Sequence, residues 1–223
     1  MALPALVVFD MAGTTIEASD PVPEAFQQAF EHVGVYLPPQ AIGSIRGKSK
    51  REAIADLLTS YLGEQEAPRR TEPVYADFRK ILTSIFEREG VRSIDGASET
   101  FAWLRARNAK VALTTGFDGD LAEMLVRSVG WQDAIDALVC NTDVPRGRPA
   151  PYLIFEAMRR AGVDSVHDVA VVGDTVSDLE SAWNAGVAWR IGVLSGAHTS
   201  DQLGACPHTA IIDSVKSLPA VFE

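Results

Sequence analysis

The stretch "LVVFDMAGTTIE", residues 6–17, sets the frame for the chain. Four apolar residues in succession, stopped by Asp10, make the pattern of a strand buried on both faces. Ala12 and the Gly13-Thr14-Thr15 turn follow at once, small residues at the point where a parallel strand would open onto a ligand. Similar short apolar runs recur as "KVALTTG" (110–116), "DALVC" (136–140), "DVAVVGD" (168–174) and "WRIGVL" (189–194). Between them lie helical patterns over 97–107, 119–129, 151–161 and 176–185, with Gly162 and Gly186 where helices should stop. Alternation of this kind predicts an α/β fold, a doubly wound, Rossmann-like parallel sheet.

Residues 19–93 break the alternation. They contain helical patterns at 23–33, 50–62 and 73–89, punctuated by Pro38-Pro39 and Ala67-Pro68. The expected organisation is an α/β core from residues 1–18 and 94–223, with residues 19–93 inserted as a helical cap. An insertion after the first strand would hang over the carboxyl ends of the strands as a lid.

With 223 residues, 47% apolar and 22% charged, the chain has the balance of a globular enzyme. Its net charge of −10 argues against nucleic acid or an anionic membrane as partner, since both need a basic footprint. Cys140 and Cys206 are not in a metal-binding spacing, which suits a reduced, cytoplasmic setting. The first apolar run lacks a basic leader and is interrupted at Asp10, unlike a signal peptide. No apolar run approaches the roughly 20 residues of a membrane span.

Asp10 ends the first strand; Asp174 ends "VAVVGD"; Asp178 follows one turn later. On neighbouring strands these carboxylates would converge, an arrangement that is costly without a cation and that suits Mg²⁺. Each aspartate taken alone also reads as a helix cap. Thr115 and Gly116, after another strand, offer a hydroxyl and backbone N–H groups for an anion, although a threonine N-cap accounts for them equally. Arg148 in "GRPAP" can hold a phosphoryl oxygen and balance Asp10, or lie as a surface arginine in a loop.

"DMAGTT", "LTTG", "GRPAP" and "GDTVSD", in this order and spacing, resemble the four motifs of the haloacid dehalogenase superfamily. The resemblance covers essentially the whole chain. It is greatest to the phosphonoacetaldehyde hydrolase (phosphonatase) branch, whose first motif reads Asp-x-Ala-Gly-Thr and whose third motif carries Arg in place of Lys. Ala12 and Arg148 match both. The resemblance implies that Asp10 is the nucleophile taking the phosphoryl group. It implies that Asp10, the Ala12 carbonyl and Asp174 bind Mg²⁺, with Asp178 in support, and that Thr115, Gly116 and Arg148 hold phosphoryl oxygens. It also implies a small anionic phosphonate or phosphate substrate and a homodimer formed through the cap. Phe26, Phe30, Val33 and Tyr36 suit such an interface, or the core of the cap itself.

In superfamily phosphatases a second aspartate protonates the leaving alkoxide, work typically worth 10²–10⁴-fold. Ala12 cannot do this. A carbon leaving group needs no such acid if an imine serves as electron sink, and an imine needs a lysine. "RGKSKRE" (46–52) supplies Arg46, Lys48, Lys50 and Arg51. Ser49 and Glu52 have capping-box spacing, which makes Lys50 the first helical residue. There the helix dipole and neighbouring cations favour the free amine. A basic helix start that attracts anions, or plain solvated surface, remains the alternative from position alone. The resemblance aligns Lys50 with the Schiff-base lysine of the branch.

The branch carries histidine where this chain has Ala53, methionine at Arg46, tyrosine at Phe117 and tryptophan at Met11. These departures fall on the pocket for the leaving group, which directs attention to Arg46 and Phe117. The competing functions are a P–C hydrolase acting through Lys50 and Asp10, a phosphomonoesterase with its acid relocated, and a non-catalytic anion-binding module.

Overall fold

Strand β1, Leu6–Asp10, is buried along its whole length. Leu6 and Val8 face one layer of helices while Val7 and Phe9 face the other, the period-two alternation of a central strand. The computed structural model describes residues 3–18, 21–43 and 49–223. Around β1 lie β2 (Lys110–Thr115), β3 (Ala137–Cys140), β4 (Val169–Gly173), β5 (Trp189–Val193) and β6 (Ala210–Ile212). The sheet runs β3-β2-β1-β4-β5-β6 with every pairing parallel. This is the doubly wound order whose crevice opens at the switch point, here between β1 and β4.

The helices that follow the strands cover both faces. α7 (Tyr152–Ala161) and α8 (Val176–Ala185) pack on the Leu6/Val8 face. α5 (Ala97–Arg105), α6 (Gly119–Ser128) and α10 (Pro219–Phe222) pack on the Val7/Phe9 face. The short α9 (Ser200–Gly204) precedes β6. β6 has no counterpart in the sequence reading: three half-buried residues at a sheet edge give no readable alternation.

Between β1 and α5 stand α1 (Pro21–Glu31), α2 (Pro39–Gly43), α3 (Lys50–Leu62) and α4 (Ala67–Glu89). Phe26 and Phe30 of α1 are fully buried, and Phe26 meets Phe78 of α4 with ring centroids 4.5 Å apart. Those two aromatics therefore belong to the core of the helical layer, whereas Tyr36 is 69% exposed. α4 begins six residues before the predicted start at 73. Pro68 sits in its first turn, where a missing N–H costs nothing, and Pro73 is carried inside the helix.

The outgoing and returning segments run side by side. Glu17 N–H donates to the Arg92 carbonyl, and Ile94 N–H to that of Thr15. Ile16 and Ser93 form an antiparallel bridge. The helical layer is thus joined to the sheet through a two-stranded neck beside the carboxyl end of β1.

Candidate active site

The register of β1 against β4 brings the acidic residues together. Asp10 closes β1; Asp174 is the residue after β4; Asp178 lies in the first turn of α8. One oxygen from each lies within 4.8 Å of the others, and all three residues are buried. Asp178 also fulfils the capping role: Thr175 accepts from its N–H, and Asp178 accepts from the Thr175 N–H. Site and cap are here the same residue.

Asp174 is held in a tight cradle. Thr14 Oγ donates to its Oδ1 at 3.2 Å and Ala197 N–H to its Oδ2 at 2.7 Å. A Cβ on Gly13 or Gly196 would run into the same carboxylate, and Gly13 in addition has φ +91°, which suits glycine alone.

Arg148 links two of the three acids. Its Nη1 donates to Asp10 Oδ1 at 2.5 Å and its Nε lies 3.0 Å from Asp178 Oδ1. Its Nη2 donates to the Thr114 hydroxyl at 2.6 Å and to the Thr114 carbonyl at 3.2 Å. The arginine is therefore no surface residue; it is 7% exposed.

Burial, together with the like charge of its neighbours, pushes Asp174 up to about 8. Burial also pushes Asp10 up to about 6, against the opposing pull of Arg148. Among the described residues, three acids face two cations, Arg148 and Lys50, and full ionisation of the acids would leave an excess negative charge in a desolvated cleft. Hard oxygen donors under that stress fit a divalent cation such as Mg²⁺, held by a few carboxylates and completed by substrate oxygens.

A small cleft of about 30 Å³ is lined by Asp10, Ala12, Thr115, Gly116, Arg148 and Lys50, with Phe117 and Asp174 alongside. Thr115 Oγ accepts from the Phe117 N–H at 3.1 Å, so its hydroxyl shapes the loop as well as facing the cleft. Lys50 opens α3 and reaches in from the helical layer, its Nζ 5.6 Å from the centre of the Phe117 ring. Its ammonium lies below the usual lysine range. Burial is the main cause, Asp10 opposes it, and Arg148 adds to it. Arg46, together with Gly47 and Lys48, lies outside the described residues.

The expected Ser49–Glu52 capping box is not formed. Ser49 is the N-cap of α3, but its side chain makes no cap bond; its hydroxyl accepts from Asn141 Nδ2 at 2.8 Å. The bond ties the start of α3 to the loop after β3. Asn141 N–H in turn donates to the Phe117 carbonyl. A second tie comes from α4, where Tyr75 donates to Asp118 Oδ1 at 2.5 Å and Arg79 pairs with Asp118 and Asp120.

Sequence reading missed Thr14, Thr114, Asn141 and the Ser195–Ala197 loop. The last carries a legible signal, since "SGA" follows the carboxyl end of β5, the same edge as the three acids.

The family described as haloacid dehalogenase-like hydrolase matches residues 7–191. A phosphonoacetaldehyde hydrolase of Bacillus cereus is 32% identical over 209 residues, covering 89% of this chain and 77% of that protein. The crystal structure of a phosphonoacetaldehyde hydrolase-like protein from Oleispira antarctica superposes with a TM-score of 0.85 at 26% identity. It covers all of this chain and 94% of that one. A β-phosphoglucomutase from Clostridium difficile has the same fold, with a TM-score of 0.85 at 14% identity, covering 97% of this chain and 93% of its own. Among the described residues no helix is long and apolar enough to cross a membrane.

Proposed function

Because the chain belongs to the haloacid dehalogenase-like hydrolases, we propose that it is a Mg²⁺-dependent hydrolase of the phosphonatase type, cleaving the P–C bond of phosphonoacetaldehyde or a related carbonyl phosphonate. The observation that carries this reading is one juxtaposition. A buried lysine amine, Lys50, faces the same cleft as Asp10, while Ala12 stands where a phosphatase of this superfamily has its general acid. The identity to the Bacillus cereus enzyme supports it.

In this reading Lys50 condenses with the substrate carbonyl, releasing water. The imine then accepts the electron pair of the P–C bond as Asp10 attacks phosphorus. Arg148 and the Thr115–Gly116 loop hold the phosphoryl oxygens, and Arg148 fixes the Asp10 carboxylate from the side. The resulting enamine takes up a proton at carbon to give the product imine, and water then hydrolyses both this imine and the aspartyl-phosphate. Asp10, the Ala12 carbonyl and Asp174 would hold Mg²⁺, with Asp178 in support. When bound, the ion offsets charge on the nucleophile and the phosphoryl group. The enzyme of this proposal is cytoplasmic, acts on a small anionic substrate and pairs through its helical layer as a cap.

Borohydride trapping tests the reading. Reduction in the presence of a carbonyl phosphonate should inactivate the protein with a mass adduct on Lys50. Lys50→Arg should lose P–C cleavage yet still bind inorganic phosphate. If Lys50→Arg retains phosphonate hydrolysis, or the adduct falls on Lys48, the imine role fails and a phosphomonoesterase becomes the better account.

A further inference from the structure

Two spaces meet at Lys50. The first is the 30 Å³ cleft around Asp10, sized for a phosphoryl group. The second is a chamber of about 320 Å³ between the β1 loop and the helical layer. They share Ala12, Lys50, Asp174 and Thr175. Val22, Pro23, Phe26, Ile42 and Ile94 form the apolar part of the chamber lining, while Glu17, Asp174, Thr175 and Ser195 form a polar part. Its volume lies at the lower end of the range of small-molecule sites, roughly 300–1,000 Å³.

An aldehyde substrate carries only hydrogen on its carbonyl carbon besides the phosphonomethyl arm. With phosphorus at Asp10 and the carbonyl at Lys50, it would leave the chamber beyond Lys50 unused. The charges on the chamber wall also select. Among the described lining residues Lys50 is the cation, and its charge, kept in the protonated imine, is already opposed by Asp10, Asp174 and Asp178. Glu17 on the same wall is already paired with Arg92 at 2.6 Å, and Asp174 belongs to the acidic cluster. Among the described residues, a second anionic group on the substrate would meet carboxylates there, and a cationic one would meet a glutamate already paired with Arg92.

We propose that the substrate is a β-ketophosphonate whose carbonyl carbon bears an uncharged apolar group of several carbons, seated in the chamber lined by Val22, Phe26, Ile42 and Ile94. This rests on the P–C-cleaving reading of the same site. The chemistry balances without any further reagent. The Lys50 amine and the ketone give a ketimine and water. The P–C bond breaks with its electron pair moving to carbon, and the phosphoryl group bonds to Asp10. The resulting enamine takes a proton at that carbon, and water releases a methyl ketone and regenerates the amine. A second water frees phosphate from Asp10.

The test is phosphate release, with Mg²⁺, from phosphonoacetaldehyde and from β-ketophosphonates bearing methyl, propyl and pentyl groups. The expected result is that kcat/KM rises along the ketone series, by up to about fourfold per buried methylene. The pentyl compound should exceed phosphonoacetaldehyde. Val22→Phe and Ile42→Phe, which fill the chamber, should each lower the ratio of pentyl to methyl turnover. That ratio is taken within one protein, so a general loss of activity does not imitate the effect. A flat or falling series with phosphonoacetaldehyde preferred overturns the chamber proposal and leaves the P–C reading standing. Absence of phosphate release from every member, with no borohydride adduct, overturns both.

Discussion

Replacing Arg148 with methionine removes a charge from the centre of the acidic cluster while keeping much of its volume. Each guanidinium nitrogen is engaged, with Asp10, Asp178 and both oxygens of Thr114 as partners. Loss of one member of a buried ion pair typically costs about 3–5 kcal/mol, because the partner is left charged and dry. Here the acids can take up protons, and Asp10 is already raised to about 6, so the lower end, about 3 kcal/mol, is expected. For a chain of this length that corresponds to a fall in Tm of about 6–12 °C. The assay is thermal unfolding in chelator and again in excess Mg²⁺. Arg148→Met should gain more from Mg²⁺ than the parent does, since a cation replaces the missing positive charge. Arg148→Lys should fall between, because one ammonium cannot span acceptors that three nitrogens now reach. If Arg148→Met melts within about 2 °C of the parent in chelator, the arginine is not the counter-charge described here.

Asp10 and Asp174 are raised in the folded state to about 6 and about 8, so at these two sites the metal-free fold binds more protons than the unfolded chain. From these two groups metal-free stability should therefore fall as pH rises from about 4 to about 8, while the Mg²⁺-induced rise in Tm grows as pH passes through about 6 to 8; a pH-independent Mg²⁺ increment would contradict this. Gly196→Ala should push Asp174 from its cradle and weaken Mg²⁺ binding at least about tenfold by calorimetry, with parent-like affinity counting against that residue as a ligand. Tyr75→Phe removes a bond from the helical layer to Asp118, the residue after the cleft-lining Phe117, and should raise KM by up to about tenfold with little change in kcat, as steady-state kinetics would show.

The sheet was legible because its strands are continuous apolar runs that stop at small or acidic residues, as in β1 and β4. The three aspartates, Arg148 and the Thr115–Gly116 loop were legible as polar residues at corresponding strand ends. What stayed hidden is two-sided. Ser49 and Glu52 have the spacing of a capping box, yet Ser49 spends its hydroxyl on Asn141, a residue 92 positions away. Thr14 and Thr114 read as ordinary turn and strand residues, and their roles exist only through Asp174 and Arg148. The start of α4 was misjudged because Pro68 reads as a breaker, whereas in a first turn it is harmless. Long-range partners leave no local pattern, and local breakers depend on where the helix begins.

The segment from Thr115 to Asp118 both lines the cleft proposed to hold the phosphoryl group and anchors the helical layer. Asp118 is gripped by Tyr75 and Arg79 of α4, and Phe117 shares Asn141 with Ser49 at the start of α3. Two binding events that order the same four residues are thermodynamically linked. Whatever factor a docked helical layer adds to phosphoryl affinity, a bound phosphoryl group must return as firmer docking of that layer. If the proposed function holds, substrate is its own effector: occupancy of the cradle and exclusion of water from the Lys50 chamber would rise together, and release of phosphate would loosen the enclosure.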